Sequence, residues 1–289
     1  MVKATENAFD TTKATDTKAS DADGRDLKSG GDGGEQVRLL VGKDVGLRQF
    51  LRRTLGASSL GIMGGLTTAQ AIGWSGLLMD KPLWLVGGGF FMSVAGILGV
   101  TNSRCIASQQ IIDGTTVYSS RNPLLRKLAF GLISAGMGVT MAPLTAIAQM
   151  VDPFIFPAAT VLSLTTMGGC VAYAMRQPNE SLIRLRGPLF GALTGMVGLG
   201  FLAIGAAAFI GPNAFTAVWT NIDIYGGLIL FTGITAYDVH QAVQRYQSGN
   251  ADHLLTAVEF YLDFCNFFIR FLHILLKARQ TINDDGDDD

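Results

Sequence analysis

Seven apolar segments follow one another along this 289-residue chain, and they restrict it to a membrane fold. Each is roughly 20 residues long, which is the length that a helix needs to span the hydrocarbon core of a bilayer. Only 16% of the residues are charged, whereas a soluble domain carries about 25%. We predict an all-α, polytopic protein with spans near residues 54–78, 83–103, 128–150, 154–175, 188–211, 218–241 and 256–276.

Composition divides the chain into a polar N-terminal segment, a basic stretch, the membrane domain and an acidic tail. Residues 1–37 are polar with a single aromatic side chain, which predicts disorder. Residues 38–53 are basic and could form an amphipathic helix on the membrane surface or a juxtamembrane anchor. Residues 54–277 form the membrane domain, and residues 278–289 are an acidic tail. The N-terminal segment lacks the apolar core of a secretory signal and is too acidic for an ordinary mitochondrial presequence.

Basic residues in the loops give the orientation of this domain. They concentrate before the first span and in the loops after the second, fourth and sixth spans, whereas the opposite loops hold Lys81 alone. The positive-inside rule therefore places the amino terminus inside, in the cytosol or matrix, and the carboxyl terminus outside. Lys277 and Arg279 are the exception, since they lie at a helix end, where such side chains snorkel to the interface. A net charge of −1 excludes a basic nucleic-acid binder.

Two aspartates lie well inside the last two predicted spans, Asp238 in the sixth and Asp263 in the seventh. A carboxylate in hydrocarbon costs several kcal/mol and usually faces the bundle interior or a water-filled path. At about 1.5 Å per residue, both acids lie roughly 10 Å from the inner boundary, on helices joined by a short connection. Facing carboxylates do not both ionise readily, so the pair could share a proton at lower pH and open, or bind a cation, as the pH rises. We predict a proton-sensitive gate.

A polar stripe follows one face of the last span at about 100° per residue. Its members are Glu259, Asp263, Asn266, Arg270 and His273. Such a stripe lines an ion path or belongs to a static buried network that locks helix packing, and both interpretations remain open. The countercharge of the acids would be Arg270, or Arg104 at the inner end of the second span. Arg104 has the better depth, with a snorkelling loop arginine as its alternative role.

Other polar residues near the span ends have plainer interpretations. Asp223 is interpreted as an interfacial acid at the positive end of the sixth helix, with an outer cation contact as the alternative. His240 and His253 lie near the inner loop, and we expect both on the surface because neither belongs to a ligand cluster. Thr235 lies on a helix face near Asp238 and is a candidate hydrogen bond partner for it.

Glycines spaced four residues apart indicate close helix crossing. Gly61 and Gly65 have this spacing in the first span, and Gly187, Gly191 and Gly195 have it in the fifth. We predict that both rows pack in the core of the bundle and that neither is a dimerisation motif.

The strings IYGGLILFTGITAYDVHQAVQRY and AVEFYLDFCNFFIRFLHIL resemble the last two helices of the transmembrane Bax inhibitor motif family. The resemblance extends back through MGVTMAPLTAIA, and MAPLTA and IYGGLILF look closest to the mitochondrial branch of the family. It implies a seven-helix fold whose central last helix is wrapped by the others. It also implies a pH sensor matching Asp238 and Asp263, with Ca²⁺ leak or calcium/proton exchange. The usual Thr-Gln after the first aspartate is Val239-His240 here.

The same resemblance implies cell-death protection and, for the mitochondrial branch, cristae organisation and retention of cytochrome c. We therefore expect the mitochondrial inner membrane, with the endoplasmic reticulum or another endomembrane as the alternative. The expected partners are the lipid bilayer, calcium, protons and inner-membrane proteins, with no cofactor beyond those two ions.

Two functions of other classes compete with transport. One is a non-transporting scaffold, in which the acids only stabilise packing. The other is an intramembrane aspartyl protease, which also has an aspartate in each of two neighbouring helices. The protease lacks support because neither Gly-x-Gly-Asp at Asp263 nor a Pro-Ala-Leu element is present. We predict that the protein is not an enzyme.

Overall fold

The computed structural model describes residues 45–75, 82–103, 108–112, 115–119, 123–176, 185–211, 213–249 and 252–286. The predictions made for residues 1–37 and for Arg104 lie outside these ranges. Seven helices and one hairpin occur in the described parts of the chain. The helices are α1 Val45–Trp74, α2 Pro82–Asn102, α3 Pro123–Val151, α4 Ile155–Ala174, α5 Arg186–Ile210, α6 Ala214–Gln247 and α7 His253–Gly286.

The predicted all-α membrane fold is confirmed, because each predicted span coincides with one of these helices. Five of the described helices, α2 to α6, are long and apolar enough to cross a membrane. The helices α1 and α7 are not among these five, so the count of seven spans stays a prediction. An antiparallel hairpin of β1 (Ser108–Ile112) and β2 (Thr115–Ser119) lies between α2 and α3, where no strand was predicted.

Helix α6 is built from three consecutive pieces. An α-helical piece, Ala214–Asn221, begins at Asn213, whose side chain accepts a hydrogen bond from the backbone N–H of Thr216 at 3.0 Å. A π-helical stretch, Ile222–Gly226, follows, and the α-helix resumes over Gly227–Gln247. Short π-helical stretches inside α-helices are frequent at functional sites.

Helix α7 forms the centre of the bundle and packs against α1, α3, α4 and α6. Its aromatic side chains are the largest fully buried groups among the described residues: Tyr261, Phe264, Phe267 and Phe268 are each at most 1% exposed. Apolar side chains on the other helices point outward, such as Trp84 at 82% and Phe209 at 93% exposure. Since lipid solvates apolar surface, close packing rather than hydrophobic burial holds such helices together.

The glycines of α1 allow α1 to cross α3 and α7 closely. A Cβ atom at Gly61 would lie 2.6 Å from Cζ of Phe130, and the Gly61 carbonyl accepts a hydrogen bond from Ser134 Oγ at 2.6 Å. The predicted core role of this row is therefore confirmed. The prediction for Gly187, Gly191 and Gly195 on α5 is wrong, because no described atom lies within 4 Å of a Cβ built at any of the three.

The two ends of the membrane domain differ from the predicted boundaries. Residues 45–53 form the first turns of α1, in which Leu47 and Phe50 are buried and the Phe50 ring lies 5.6 Å from that of Tyr246. This part of the basic stretch therefore packs in the bundle and is not a separate surface helix. At the other end α7 continues to Gly286, well beyond the predicted end of the span.

Candidate functional site

The structure brings the two predicted aspartates together in the buried interior. Asp238 is 9% exposed on α6, and Asp263 is 4% exposed on α7. The short connection between the helices turns α7 back along α6, and the two carboxyl groups lie near enough to interact electrostatically. Helix α4 closes the third side, where the Cys170 thiol also interacts with Asp263. The site therefore lies among α4, α6 and α7.

Neither aspartate has an ion pair within the described ranges. The Oδ2 atom of Asp263 is buried without a hydrogen bond partner there, and so is the Oγ1 atom of the neighbouring Thr235. Thr235 thus faces Asp263, whereas the sequence suggested Asp238 as its partner. A buried polar atom without a partner costs about 1–3 kcal/mol, so a proton or a cation at this pair would be stabilised.

Glu259, at the inner end of the polar stripe, is paired with Arg245. Nη1 of Arg245 donates to both carboxylate oxygens of Glu259, at 2.8 and 2.7 Å. Both side chains also act electrostatically on Asp238. Within the described ranges, Arg245 is therefore a basic residue that acts on Asp238, although its sequence position placed it in the loop after the sixth span. Its spacing of two turns from Asp238 was the signal that could have identified it.

Arg270 binds at the outer end of the stripe and not to the acid pair. Its Nε donates to the Asp223 carbonyl at 3.1 Å, and its Nη2 donates to the Asp223 carboxylate at 3.2 Å. Its Nη1 donates to the backbone and side-chain oxygens of Asn266, both at 3.2 Å. The guanidinium also lies 4.6 Å from the ring centroid of Phe231. The prediction that Arg270 neutralises Asp238 and Asp263 is therefore wrong.

Asp223 does not lie at a helix start, because α6 begins two turns earlier at Ala214. It belongs to the π-helical stretch, and its side chain is 46% exposed. The helix-start interpretation is thus wrong. The alternative, an outer cation contact, stays a prediction, and in the structure the Asp223 carboxylate pairs with the guanidinium of Arg270.

Four of the predicted path residues line one cavity of about 650 Å³ among α5, α6 and α7. They are Asp223, Asn266, Arg270 and His273. The walls between them are apolar and include Trp219 and Phe231. Arg270 follows Asp263 by two helical turns, about 10 Å along α7. The stripe therefore extends from the inner acid site to the outer cavity.

His240 is buried, which contradicts the surface position expected for it. It is 4% exposed, and its Nε2 donates to the carbonyl of Ala174 on α4 at 2.6 Å. The prediction failed because the sixth span was ended at residue 241, whereas α6 continues to Gln247 and carries His240 into the bundle. His253, at the first residue of α7, is exposed as expected.

A cation at the acid pair would have only two carboxylates from the described residues. No group of three or more His, Cys, Asp or Glu side chains in those ranges is arranged to hold a metal ion. Ca²⁺ takes six to eight oxygen ligands in dedicated sites. Two carboxylates fall short of such a ligand set.

Comparison with known proteins relates the chain to one family. The model of a family described as inhibitor of apoptosis-promoting Bax1 matches residues 47–280. The growth hormone-inducible transmembrane protein of Rattus norvegicus is 28% identical over 180 residues, which cover 60% of this chain and 49% of that protein. Bax inhibitor 1 of Oryza sativa subsp. japonica is 26% identical over 186 residues, which cover 64% of this chain and 70% of that protein. The chain thus matches about half the length of the rat protein. No solved structure matches it.

Proposed function

The chain belongs to the family of inhibitors of apoptosis-promoting Bax1, and from this premise we propose that it is a pH-sensitive calcium leak channel or calcium/proton exchanger. The observation that carries the proposal is the buried pair Asp238 and Asp263, which has no ion pair among the described residues. Ionisable groups within membrane spans mark ion or proton paths by default. The pair would carry the proton that couples pH to calcium flux.

The chemistry of the pair supports such a switch. Two neighbouring carboxylates in a low-dielectric interior repel each other when both are charged, so a shared proton stabilises the closed packing of α6 against α7. Loss of that proton leaves two negative charges, which either separate the helices or attract a divalent cation. The nearby Arg245 donates to both oxygens of Glu259 and forms no ion pair with either aspartate in the described ranges.

The position of the outer cavity supports a route for the ion. Asn266 and His273 give it oxygen and nitrogen groups on the same face of α7 that carries Asp263, and Asp223 adds a carboxylate from α6. Arg270 supplies a positive charge in its wall, which is held by Asp223. An ion passing from the cavity toward the acids would follow one polar face of α7 past Asn266.

We place this activity in an organelle membrane. The resemblance of MAPLTA and IYGGLILF to the mitochondrial branch favours the mitochondrial inner membrane, with the endoplasmic reticulum as the alternative. A role in cell-death protection and in mitochondrial organisation, through inner-membrane protein partners, belongs to the same proposal.

The test is calcium uptake into liposomes that contain the purified protein, between about pH 6 and pH 8, where a buried carboxylate pair can titrate. We expect the flux to change with pH in the wild type, and the pH response to fall about tenfold in Asp238→Asn and Asp263→Asn. Asp152→Asn is the matched control, because Asp152 lies in the connection between α3 and α4, away from the pair. Calcium uptake that rises with an imposed proton gradient would identify an exchanger, and uptake independent of the gradient would identify a channel.

A non-transporting scaffold is the second candidate. Its support is that the two ion pairs, Arg245–Glu259 and Arg270–Asp223, satisfy much of the polar stripe within the bundle. In this case Asp263→Asn would change the free energy of unfolding but not the flux. Liposomes with folded protein and no flux above that of empty liposomes would reject transport.

A further inference from the structure

A second cavity, of about 720 Å³, runs between α1 and α3 and ends at the start of α7. Its lining on α1 extends from Arg53 to Thr68, about 22 Å at the rise of an α-helix. The hydrocarbon of one leaflet is about 15 Å thick, half of the bilayer core. We call this cavity the α1–α3 groove. It is long enough to hold an acyl chain.

The floor of the groove is mostly apolar, and its glycines leave it with few side chains. Gly56 on α1 and Gly131 on α3 line it, and a Cβ at either would have no described atom within 4 Å. Phe130 closes the bottom, and Leu60, which is 71% exposed, forms one edge. The missing side chains leave a furrow whose surface matches a hydrocarbon chain.

The mouth of the groove is basic. Arg53 from α1, Lys127 from α3 and His253 from α7 converge there, and all three are exposed. Arg53 and Lys127 have no ion pair within the described ranges. The neighbouring acid Asp252 is held by Arg126, with 2.5 Å between Nη2 and Oδ2. Within the described parts of the chain, Arg53 and Lys127 therefore have no carboxylate partner.

The electrostatics of His253 reflect this concentration of positive charge. Partial burial of the ring lowers the pKa of His253, and repulsion from Arg53, Arg126 and Lys127 lowers it further, against the attraction of Asp252. A phosphate at the mouth would relieve that repulsion. By the positive-inside rule the mouth faces the inner leaflet, where anionic lipids attract basic residues.

We propose that the α1–α3 groove binds an anionic phospholipid of the inner leaflet. The phosphate lies among Arg53, Lys127 and His253, and one acyl chain lies along the glycine floor. The occupant is a phospholipid because the cationic mouth and the apolar furrow match the two parts of one such molecule. The proposal does not depend on the calcium transport proposed above.

The test is native mass spectrometry of the full-length protein in detergent, titrated with phosphatidylglycerol and with phosphatidylcholine of the same acyl chains. We expect phosphatidylglycerol to bind about tenfold more tightly. Removal of one cation, in Arg53→Gln or Lys127→Gln, should weaken its binding roughly fivefold, the factor expected for one basic residue at an anionic surface. Arg52→Gln removes the same charge from an exposed residue that does not line the groove, and should leave binding unchanged.

The groove itself is tested by filling it. Gly131→Leu should reduce phosphatidylglycerol binding because its side chain would enter the groove, whereas Gly87→Leu on α2, equally open at Cβ and outside the groove, should not. Equal binding of the two lipids, an equal effect of Arg52→Gln and Arg53→Gln, or full binding in Gly131→Leu would overturn the proposal. Displacement of the lipid by inorganic phosphate at equal concentration would also overturn it, because the acyl chain would then contribute nothing.

Discussion

Gly227 determines whether Arg270 can reach Asp223. A Cβ atom built at Gly227 would lie 2.7 Å from Cζ of Arg270, inside any normal contact distance. The guanidinium occupies that space while it donates to Asp223 and packs over Phe231. Because Gly227 has no side chain, the Arg270 guanidinium has room to form the ion pair at the outer cavity.

We predict that Gly227→Ala lowers the free energy of unfolding by about 1–3 kcal/mol, because Arg270 must move and its hydrogen bonds weaken. Gly226→Ala is the matched control, since its Cβ would meet only Ile222 Cγ2 at an ordinary 3.8 Å. Titration of the purified protein with a denaturing detergent measures both. Equal stability of the two variants would show that Arg270 does not need the space above Gly227.

At this scale the sequence identifies charged residues but not their partners. Asp238 and Asp263 stand out because an acid is rare in an apolar span, and the structure brings both into one buried site. The partners of Glu259 and Arg270 could not be predicted. Helix spacing tells which residues share a face, whereas pairing depends on the depth and rotation of a second helix.

The central helix α7 begins at a cap that also carries an ion pair. Asp252 Oδ1 accepts hydrogen bonds from the backbone N–H groups of Leu254 and Leu255, at 3.2 and 3.1 Å. Its other oxygen binds Arg126 at the start of α3. One side chain therefore begins α7 and ties it to a neighbouring helix.

We predict that Asp252→Ala lowers the free energy of unfolding by about 1–2 kcal/mol, the usual effect of losing an N-terminal cap. Asp252→Asn keeps the acceptor for the cap and removes only the charge, so it should lose less. The same unfolding titration compares the two. Equal losses in both variants would assign the whole effect to the ion pair with Arg126.

Helices were the most predictable elements because their signal is a long apolar run. The hairpin of β1 and β2 was missed, since ten residues of mixed polarity give no distinct period. The glycine row of α5 was misjudged for another reason. Its spacing shows that the three glycines share a face, but not whether another helix packs against that face.

At the scale of the whole molecule, the charged residues of α7 are consistent with its position at the centre of the bundle. Glu259, Asp263 and Arg270 would be costly against lipid, so a helix that contains all three is best surrounded by other helices. From the sequence, the central position of α7 followed only from the family resemblance. Hydropathy qualifies five of the described helices as spans, and α1 and α7 are not among them.

We predict that α1 and α7 both cross the membrane. Single cysteines at Arg52, Ser75, Ser248 and Ile282, in a variant without the three native cysteines, are labelled with an impermeant maleimide in sealed vesicles. The cysteines at positions 52 and 248 should react on one face of the membrane, and those at positions 75 and 282 on the other. If Ser75 reacts on the same face as Arg52, α1 does not span, and the same comparison of Ser248 with Ile282 decides α7.

The π-helical stretch Ile222–Gly226 has a consequence for how α6 can move. Such a turn holds about one residue more than an α-helical turn, so the two α-helical pieces of α6 are out of phase by roughly 100°. If the stretch tightened to α-helical geometry, the outer piece would rotate relative to the inner one. That rotation would carry Asp223 away from Arg270 while Asp238 kept its place. The π-helical stretch would then act as a single hinge in α6, between the outer cavity and the acids.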